Sequence, residues 1–491
     1  MKYKVLGTVF CAVVLLISAM NLPLLFTKDT VRYHQHLEAQ EKASCSHSDD
    51  IFCTHLPLME INTGGVEIPG KPVKDNHSTV KYTTAADGSD RIKAEMSVFD
   101  SEKNNNHLTD TPSVTSDITI HIRGNTSRNF DKLGYRIKLL DEKGDNNPQS
   151  LMGMDSHQDW ALHGPILDKT LMRNYMWYNV AGEIMDYAPN VRFCELVING
   201  EYMGVYVLAE TIDAGKNGSR LNLAVDAKDN TFTGYLLLLD RLDGEESDHL
   251  KSFTTYTNIT KHKLEIKYPG MSNLTDEIYE GIKQDFSAFE KALYSYDYDN
   301  DKYGYEQMID VDSFVDYFLI NEFTCNYDAG WLSTFIYKDI DGKFHMCIWD
   351  FNSACDNYQQ SMMMPNGFDM YNCLWYAMLF KDENFTNRCI ERYRELRQTY
   401  LSEEYLYHYI DSVVDYLEPA IGRNYEKWGY YFSEDYDLLK PEERNPRSYE
   451  ESIQNMKDFI RVRGEWMDEN IETLKQYSAE SKVKKFNENA D

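Results

Sequence analysis

The chain has 491 residues and a formal net charge of −30, with 50 Lys and Arg against 80 Asp and Glu, and 42% of its residues are hydrophobic. This length and apolar content allow a sizeable core, which excludes an intrinsically disordered chain. The acidic excess repels nucleic-acid phosphates, so we exclude a general DNA or RNA binder, and any nucleotide site needs local cations and a divalent metal.

The chain begins with an apolar stretch from Val5 to Phe26, preceded by Lys2 and Lys4. Its 22 residues are enough to cross a bilayer as a helix. A cleaved signal peptide has a shorter apolar core and a cleavage site of small residues, which Ser18-Ala19-Met20 matches poorly. We predict an uncleaved signal anchor over residues 1–26; a signal peptide and a buried helix are the alternatives. The main domain of this single-pass membrane protein then lies outside the cytoplasm.

A polar stalk follows the anchor, over residues 27–55. It contains Cys45 and Cys53, which could form a disulfide if the domain is exported. The later cysteines lie mostly in apolar contexts, which is typical of core thiols. No CxxC pair and no zinc-type spacing occurs.

Residues 56–270 show alternation of apolar and polar residues between turn residues, which predicts a strand-rich lobe. Strands are expected over residues 56–61, 118–123, 135–139, 191–198 and 202–208, with a last strand ending at Tyr268. Asn199-Gly200 predicts a tight hairpin turn between two of them. A helix over about residues 169–185 interrupts the strands, with Asp168 as the expected N-cap.

Residues 271–477 change to a helical period and form the predicted helix-rich lobe, before a polar tail at 478–491. Helices are expected over residues 274–294, 311–323, 385–400, 403–427 and 448–475. A short β-hairpin is expected over residues 332–350. The predicted fold class is α+β, with a strand-rich N-terminal half, a helix-rich C-terminal half, a cleft between them, and the N-terminal transmembrane helix.

The predicted hairpin brings acidic residues together. Asp341-Gly342 is the standard signal for a two-residue type I′ turn, and such a turn places Asp350 opposite Ser333. Asp328 enters the same end of the hairpin five residues earlier, so a one-residue register error would not separate the three. Clustered carboxylates need a metal or a proton, and phosphoryl transfer uses one Asp as proton acceptor and another to hold Mg²⁺. The alternative is that both Asp residues only cap a turn and a strand end.

Basic residues in the strand-rich lobe are the candidates for binding phosphates. Arg123 opens the segment Arg123–Arg128, which turns at Gly124, and Lys132, Arg136 and Lys138 follow. The alternative is a solvated strand face. Neither a Gly-x-Gly-x-x-Gly loop nor a Walker A motif occurs.

The sequence leaves the roles of three further residues open. Arg173 and Asn174 belong either to a buried network or to the cleft. Glu210, at the end of a strand, is most simply a salt-bridge partner.

Together these segments resemble the CotH family of atypical, protein-kinase-like phosphotransferases. The matching stretches are Arg123–Arg128, Lys132–Leu139, Asp168–Asn174, Asn199–Tyr206, Glu210, Asn321-Glu322, Asp328 and Trp349–Asn352. Their common order along the chain is more specific than any one of them.

The resemblance implies a kinase-like fold that binds ATP and Mg²⁺ or Mn²⁺ and phosphorylates Ser or Thr of a protein substrate. Asp328 resembles the catalytic Asp, and Asp350 the metal-binding Asp. Lys138, with Arg136 as its rival, resembles the phosphate-binding lysine. The predicted nucleotide-binding set is Arg123, Lys132, Arg136, Lys138 and Glu210, and the predicted metal ligands are Asp350, Ser333 and Asn352.

Two departures from kinase patterns support other functions. Ser333 stands where ordinary kinases have a metal-binding Asn, and Asn352 stands where family members often have Asp. Since both changes weaken the ligand set, the second hypothesis is a catalytically weak or inactive scaffold for surface or coat assembly. A third is an exported carbohydrate-active hydrolase that uses Asp328 and Asp350 as an acid/base pair.

Overall fold

The computed structural model describes residues 32–39, 42, 45, 52–73, 81–164, 166–214, 221, 223, 233–241 and 249–479. The predicted signal anchor at residues 1–26 and most of the polar tail lie outside these residues. Within them, no helix has both the length and the apolar character needed to cross a membrane. The described residues from Gln35 onward belong to one compact unit.

The strands, in chain order, are β1 (Leu58–Asn62), β2 (Pro72–Val73), β3 (Lys81–Tyr82), β4 (Ile92–Phe99), β5 (Val114–Arg123), β6 (Gly134–Leu140), β7 (Asp159–His163), β8 (Val191–Ile198), β9 (Glu201–Glu210), β10 (Tyr235–Asp240), β11 (His249–Leu250), β12 (Lys263–Tyr268), β13 (Thr334–Lys338) and β14 (His345–Cys347). The helices are α1 (Gln35–Glu38), α2 (Arg173–Ile184), α3 (Phe253–Tyr256), α4 (Asp276–Leu293), α5 (Val311–Thr324), α6 (Tyr376–Leu379), α7 (Glu383–Leu396), α8 (Glu403–Trp428) and α9 (Tyr449–Asn470). This mixture confirms the α+β class.

Seven strands close into a barrel in the order β1-β4-β5-β6-β7-β9-β8. All neighbours are antiparallel except β1 and β8, which pair in parallel from Leu58–Glu195 to Ile61–Ile198 and complete the ring. Alternate residues of β5 and β6, such as Ile120 and Ile137, are fully buried in the barrel core. The period-two pattern thus places one face of each strand inside, as small closed barrels require.

A second sheet has the order β11-β12-β10-β13-β14. Its central strand β10 pairs with β12 on one side and with β13 on the other. This sheet therefore joins strands from both sides of residue 270, and the division of the chain into lobes at that residue stays a prediction. Helices α2, α4, α5, α7, α8 and α9 contribute to a large core together with strands of both sheets.

The Asn199-Gly200 hairpin is confirmed. Asn199 has φ 51° and Gly200 has φ 80°, and the two link β8 directly to β9. Positive φ at both central residues is what a type I′ turn demands, and Asn-Gly provides it at low cost.

The expected cap of α2 is wrong in position. The helix begins at Arg173, and its N-cap residue is Met172, which has no side-chain cap. Asp168 instead reaches forward, and its Oδ2 accepts a hydrogen bond from the backbone N–H of Arg173 at 2.8 Å. The Asp168 carboxylate thus accepts from one of the free backbone N–H groups at the start of α2, although Asp168 is not at the N-cap position.

The predicted turn between β13 and β14 is displaced by one residue. Gly342 N–H donates to the Asp339 carbonyl at 3.0 Å, so Ile340 and Asp341 are the central residues, and of these two Asp341 has a positive φ of 57°. The ladder pairs Phe335 with Cys347, which shifts the expected pairing of Ser333 with Asp350. Both of these residues nevertheless lie just beyond the Phe335–Cys347 pair, at the shared end of the hairpin.

Candidate functional site

A cavity of about 390 Å³ lies between the barrel and the open end of the β13–β14 hairpin. Its charged lining residues are Arg123, Arg128, Asp240, Arg241, Glu265, Asp328 and Asp350, and Ser127, His163, Ser333, Trp349 and Asn352 line it as well. The hairpin end contributes carboxylates, and the β5 end contributes guanidinium groups. We call these two sides the acidic wall and the basic wall; the β10–β12 side adds Asp240, Arg241 and Glu265, whose charges are of both signs.

Asp328 reaches the cavity through the turn that follows α5. The helix ends at Cys325, a left-handed C-cap with φ 46°. The chain then turns so that Leu332 N–H donates to the Asp328 carbonyl at 2.7 Å. This bond fixes the backbone of Asp328 without using its carboxylate, which lines the cavity.

Asp350 is held by its backbone from two directions. Its N–H donates to the Tyr178 hydroxyl at 2.9 Å, and its carbonyl accepts from the Asn326 amide at 3.2 Å. Its φ is 59°, in the left-handed region that Asp tolerates better than most non-glycine residues. The carboxylate is thereby aimed into the cavity.

Neither carboxylate ionises as easily as an exposed one, and the charge of Asp350 disfavours ionisation of Asp328. Burial and then the neighbouring Asp350 raise the pKa of Asp328 to about 6. Burial also raises the pKa of Asp350, although the Arg123 guanidinium and the Asn352 amide oppose that rise. A divalent cation between such groups would relieve the repulsion.

Asn352 orients Asp350 within a chain of hydrogen bonds. Its amide Nδ2 donates to Asp350 Oδ1 at 2.7 Å, and its Oδ1 accepts from Asn174 Nδ2 at 3.0 Å. Asn174 in turn accepts from the Phe351 N–H at 2.8 Å. Asn174 therefore belongs to the network below the cavity, and the Asn352 amide oxygen already has a partner.

Arg123 is positioned by two rings. Its Nη1 lies 3.1 Å from Nδ1 of His163, and its guanidinium lies 5.4 Å from the centre of the Trp349 ring. Burial and the Arg123 charge hold the pKa of His163 well below its usual value, so the imidazole is neutral and can accept from the guanidinium. His163 carries no motif and was missed in the sequence.

The turn after β5 lines the basic wall. Gly124 has φ 100°, a backbone conformation that residues with a Cβ adopt only under strain, and a Cβ there would also force the Ser127 hydroxyl to move. Arg128 donates to the Gly124 and Gly70 carbonyls and lies 4.1 Å from the centre of the Tyr82 ring. The guanidinium thus braces the tight turn.

Lys132 does not line the cavity. It is buried, and its Nζ donates to the Val205 carbonyl at 2.8 Å and to Asn424 Oδ1 at 2.9 Å. Burial lowers its pKa to about 7. The side chain connects the barrel to α8, and its predicted nucleotide contact stays a prediction.

Three other predicted residues lie away from the cavity lining as well. Arg136 forms a bidentate ion pair with Asp159, at 2.7 and 2.8 Å, and Lys138 lies opposite Asp159 in the β6–β7 register. Glu210 is buried at the end of β9, opposite Trp160. The cavity therefore brings together five of the predicted site residues: Arg123, Asp328, Ser333, Asp350 and Asn352. Lys132, Arg136, Lys138 and Glu210 do not line it.

Arg241 is a cavity residue that the sequence did not single out. It follows β10 directly, and its charge favours ionisation of Asp328. Tyr358 also lines the cavity and stacks on Tyr327 with ring centres 3.9 Å apart. Neither residue lies in a recognisable motif, so spacing alone gave no signal for them.

The family model described as CotH kinase protein matches residues 120–467. The chain belongs to this CotH family. The matched range contains both cavity walls, from Arg123 to Asn352, which confirms the resemblance drawn from the motifs. Among curated proteins, the chain is 22% identical over 373 residues to the inner spore coat protein H of Bacillus subtilis (strain 168), an alignment that covers 73% of this chain and 88% of that CotH protein.

Proposed function

We propose that this CotH-family protein transfers the γ-phosphoryl group of ATP to Ser or Thr hydroxyls of a protein substrate with the help of a divalent metal. The observation that carries the proposal is the single cavity that Asp328 and Asp350 share, with Arg123 beside it. In this proposal the barrel and the helix-rich part serve as the two lobes of a kinase-like fold.

The donor set supports a hard divalent cation. Asp328, Asp350 and Ser333 offer carboxylate and hydroxyl oxygens to one cavity, the ligand type that Mg²⁺ and Mn²⁺ prefer. The predicted ligand role of Asn352 is less well supported, because its amide oxygen accepts from Asn174. We assign Asn352 to orienting Asp350. When bound, the metal would neutralise charge on the transferred phosphoryl group.

Asp328 is the proposed proton acceptor. A pKa of about 6 leaves it ionised at neutral pH yet more basic than an ordinary carboxylate, which suits a general base. The substrate hydroxyl gives its proton to Asp328 as its oxygen bonds to the γ-phosphorus. The bond from that phosphorus to the bridging oxygen breaks, and ADP leaves. Arg123 and the Gly124–Arg128 turn face the phosphates.

Radiolabelled ATP with the purified full chain tests this reaction. With Mg²⁺ or Mn²⁺ and dephosphorylated casein as probe, we expect label on Ser or Thr of casein or of the chain itself. Asp328→Asn should lower the rate by about 10²–10⁴-fold, the usual contribution of a general base, and Asp350→Asn should also lower it strongly. Asp301→Asn, in an exposed loop after α4, is the matched control. Label that persists in both cavity variants would refute the assignment.

A scaffold function is the second candidate, since the Bacillus subtilis relative is named as a spore coat protein. In that case the cavity has lost nucleotide binding. ATP with Mg²⁺ raises the melting temperature of a protein that binds it in the native state. Absence of both that shift and the label would favour the scaffold.

A further inference from the structure

A second cluster of potential ligands lies outside the cavity and joins the segment before β1 to the loop between β4 and β5. Cys45, Cys53 and His107 place their ligand atoms within 4.8 Å of one another. The Cys45 sulfur lies 3.1 Å from Nε2 of His107. Cys45 is exposed, Cys53 is half-buried and His107 is buried, so the cluster opens to solvent on the Cys45 side.

Two of the three residues are held by a rigid backbone bridge. Thr54 and Asn106 exchange backbone hydrogen bonds of 3.1 and 2.7 Å, and Cys53 and His107 flank this pair. Buried Asn106 adds a bond from its Nδ2 to the Leu56 carbonyl at 2.7 Å. The thiol and the imidazole are therefore fixed beside each other by the fold.

Asp110 supplies an independent indication that His107 is prepared as a ligand. Its Oδ2 lies 3.1 Å from Nδ1 of His107 and accepts from the His107 backbone N–H at 2.9 Å. A carboxylate that accepts a hydrogen bond from Nδ1–H keeps the proton on Nδ1 and leaves the Nε2 lone pair available to a metal. This carboxylate–histidine pair is the usual support of a histidine bound to zinc.

We propose that Cys45, Cys53 and His107 bind one Zn²⁺ ion, with a solvent molecule as the fourth ligand, and so attach the stalk to the barrel. Tetrahedral zinc with bonds of about 2.0–2.3 Å separates its ligand atoms by about 3.3–3.8 Å. The Cys45 and His107 atoms, 3.1 Å apart, would move slightly apart, and atoms near the 4.8 Å limit of the cluster would move closer. Each thiol loses its proton on binding, and two thiolates balance the charge of the ion. Soft sulfur ligands favour zinc over magnesium.

The zinc site competes with the disulfide predicted for Cys45 and Cys53. No disulfide joins the two sulfurs in the structure. A site that uses both sulfurs would keep them reduced and unlinked. The proposed zinc site uses no residue that lines the cavity between the barrel and the β13–β14 hairpin. A test of zinc binding is therefore independent of the proposed kinase activity.

Metal analysis of the untagged full chain, purified under reducing conditions, tests the site. We expect about one zinc per chain, and loss of that zinc in Cys45→Ser, Cys53→Ser and His107→Asn. Asp110→Asn should weaken zinc binding by about 10–100-fold. Cys389→Ala removes a buried thiol on α7 and should keep the zinc. With cobalt in place of zinc, thiolate-to-cobalt charge-transfer absorption should appear and should vanish in the two Cys variants.

Zinc content that is near zero in the wild type, or equal in the wild type and both Cys variants, would overturn the proposal. So would a Cys45–Cys53 disulfide, detected by peptide mass after alkylation, in protein that still holds its zinc.

Discussion

Asn352 donates its side-chain amide to Asp350 across 2.7 Å, two residues along the chain. Asn174 of α2 fixes the same amide from the other side. The orientation of the Asp350 carboxylate therefore depends on a residue that we do not assign to the metal.

We expect Asn352→Ala to weaken the metal dependence of phosphorylation. Loss of the amide donor raises the pKa of Asp350 and frees its carboxylate to rotate. The Mg²⁺ concentration for half-maximal rate should rise by about 10–100-fold, as when a supporting partner of a metal ligand is removed. Titration of the rate with Mg²⁺ measures it, and Asn455→Ala on the exposed face of α9 is the control. If the Mg²⁺ titration were unchanged, Asn352 would not be needed to orient Asp350 for metal binding.

Arg123 and Lys138 should differ in their effects on ATP binding. Arg123 lines the cavity, whereas Lys138 faces Asp159 on the barrel wall. Because a hydrogen bond to a charged group contributes about 1.5–3 kcal/mol, Arg123→Met should raise KM for ATP by about 10–100-fold. Lys138→Met should leave KM unchanged. Steady-state kinetics decides between them, and the reverse pattern would restore Lys138 as the phosphate-binding residue.

The raised pKa of Asp328 predicts a pH-dependent cost to stability. Its ordinary pKa is 3.8, and the folded value is about 6, so the folded state holds the proton more tightly. The associated stability is complete below about pH 4 and is lost as the pH rises through 6. Asn cannot ionise and escapes this loss. In metal-free buffer at about pH 7.5, Asp328→Asn should raise the free energy of unfolding by on the order of 1–3 kcal/mol.

Urea unfolding at several pH values measures that difference. The increase in the free energy of unfolding caused by Asp328→Asn should fall toward zero near pH 4, and Asp301→Asn should show no such trend. A gain that is constant with pH would contradict the assigned pKa shift.

Arg463 and Glu322 form a fully buried ion pair at 2.6 Å between α9 and α5. Arg463 also donates to the Pro365 and Gly367 carbonyls, and Glu322 accepts from the Met370 N–H. Arg463→Met leaves a buried carboxylate uncompensated and should cost about 3–5 kcal/mol of stability.

Adding Glu322→Gln to Arg463→Met should recover part of that loss, because the remaining buried charge is then removed. Chemical denaturation of the two variants provides the measurement. Arg461→Met, on the exposed side of α9, should change stability by less than about 0.5 kcal/mol. A double variant no more stable than the single one would show that the carboxylate is not the source of the cost.

Local chemistry explains which parts of the fold could be predicted. The β8–β9 hairpin follows from Asn199-Gly200, because the two residues alone provide the required backbone angles. The β13–β14 turn does not follow from Asp341-Gly342, because Phe344 leaves the hairpin ladder to exchange backbone hydrogen bonds with Met308 and Asp310. This distant partner lengthens the loop, and no local rule reveals it.

The same distinction applies to the cavity. The grouping of Asp328, Ser333 and Asp350 follows from chain connectivity, which survives a register shift of one residue. The roles of Lys132, just before β6, and of Arg136, within it, depend instead on Asn424 and Asp159. Spacing along this segment cannot show which distant group a basic side chain contacts. Arg241 reaches the cavity only because β10 lies beside β13.

The parallel pairing of β1 with β8 has a practical consequence for anyone who shortens this protein. A chain trimmed to the matched residues 120–467 would discard β1, β4 and half of β5. The ring would open, and β8 would present a bare row of amide and carbonyl groups on which other molecules could assemble by strand addition. Soluble, monomeric material therefore requires a start before Leu56, well ahead of the Arg123–Arg128 motif.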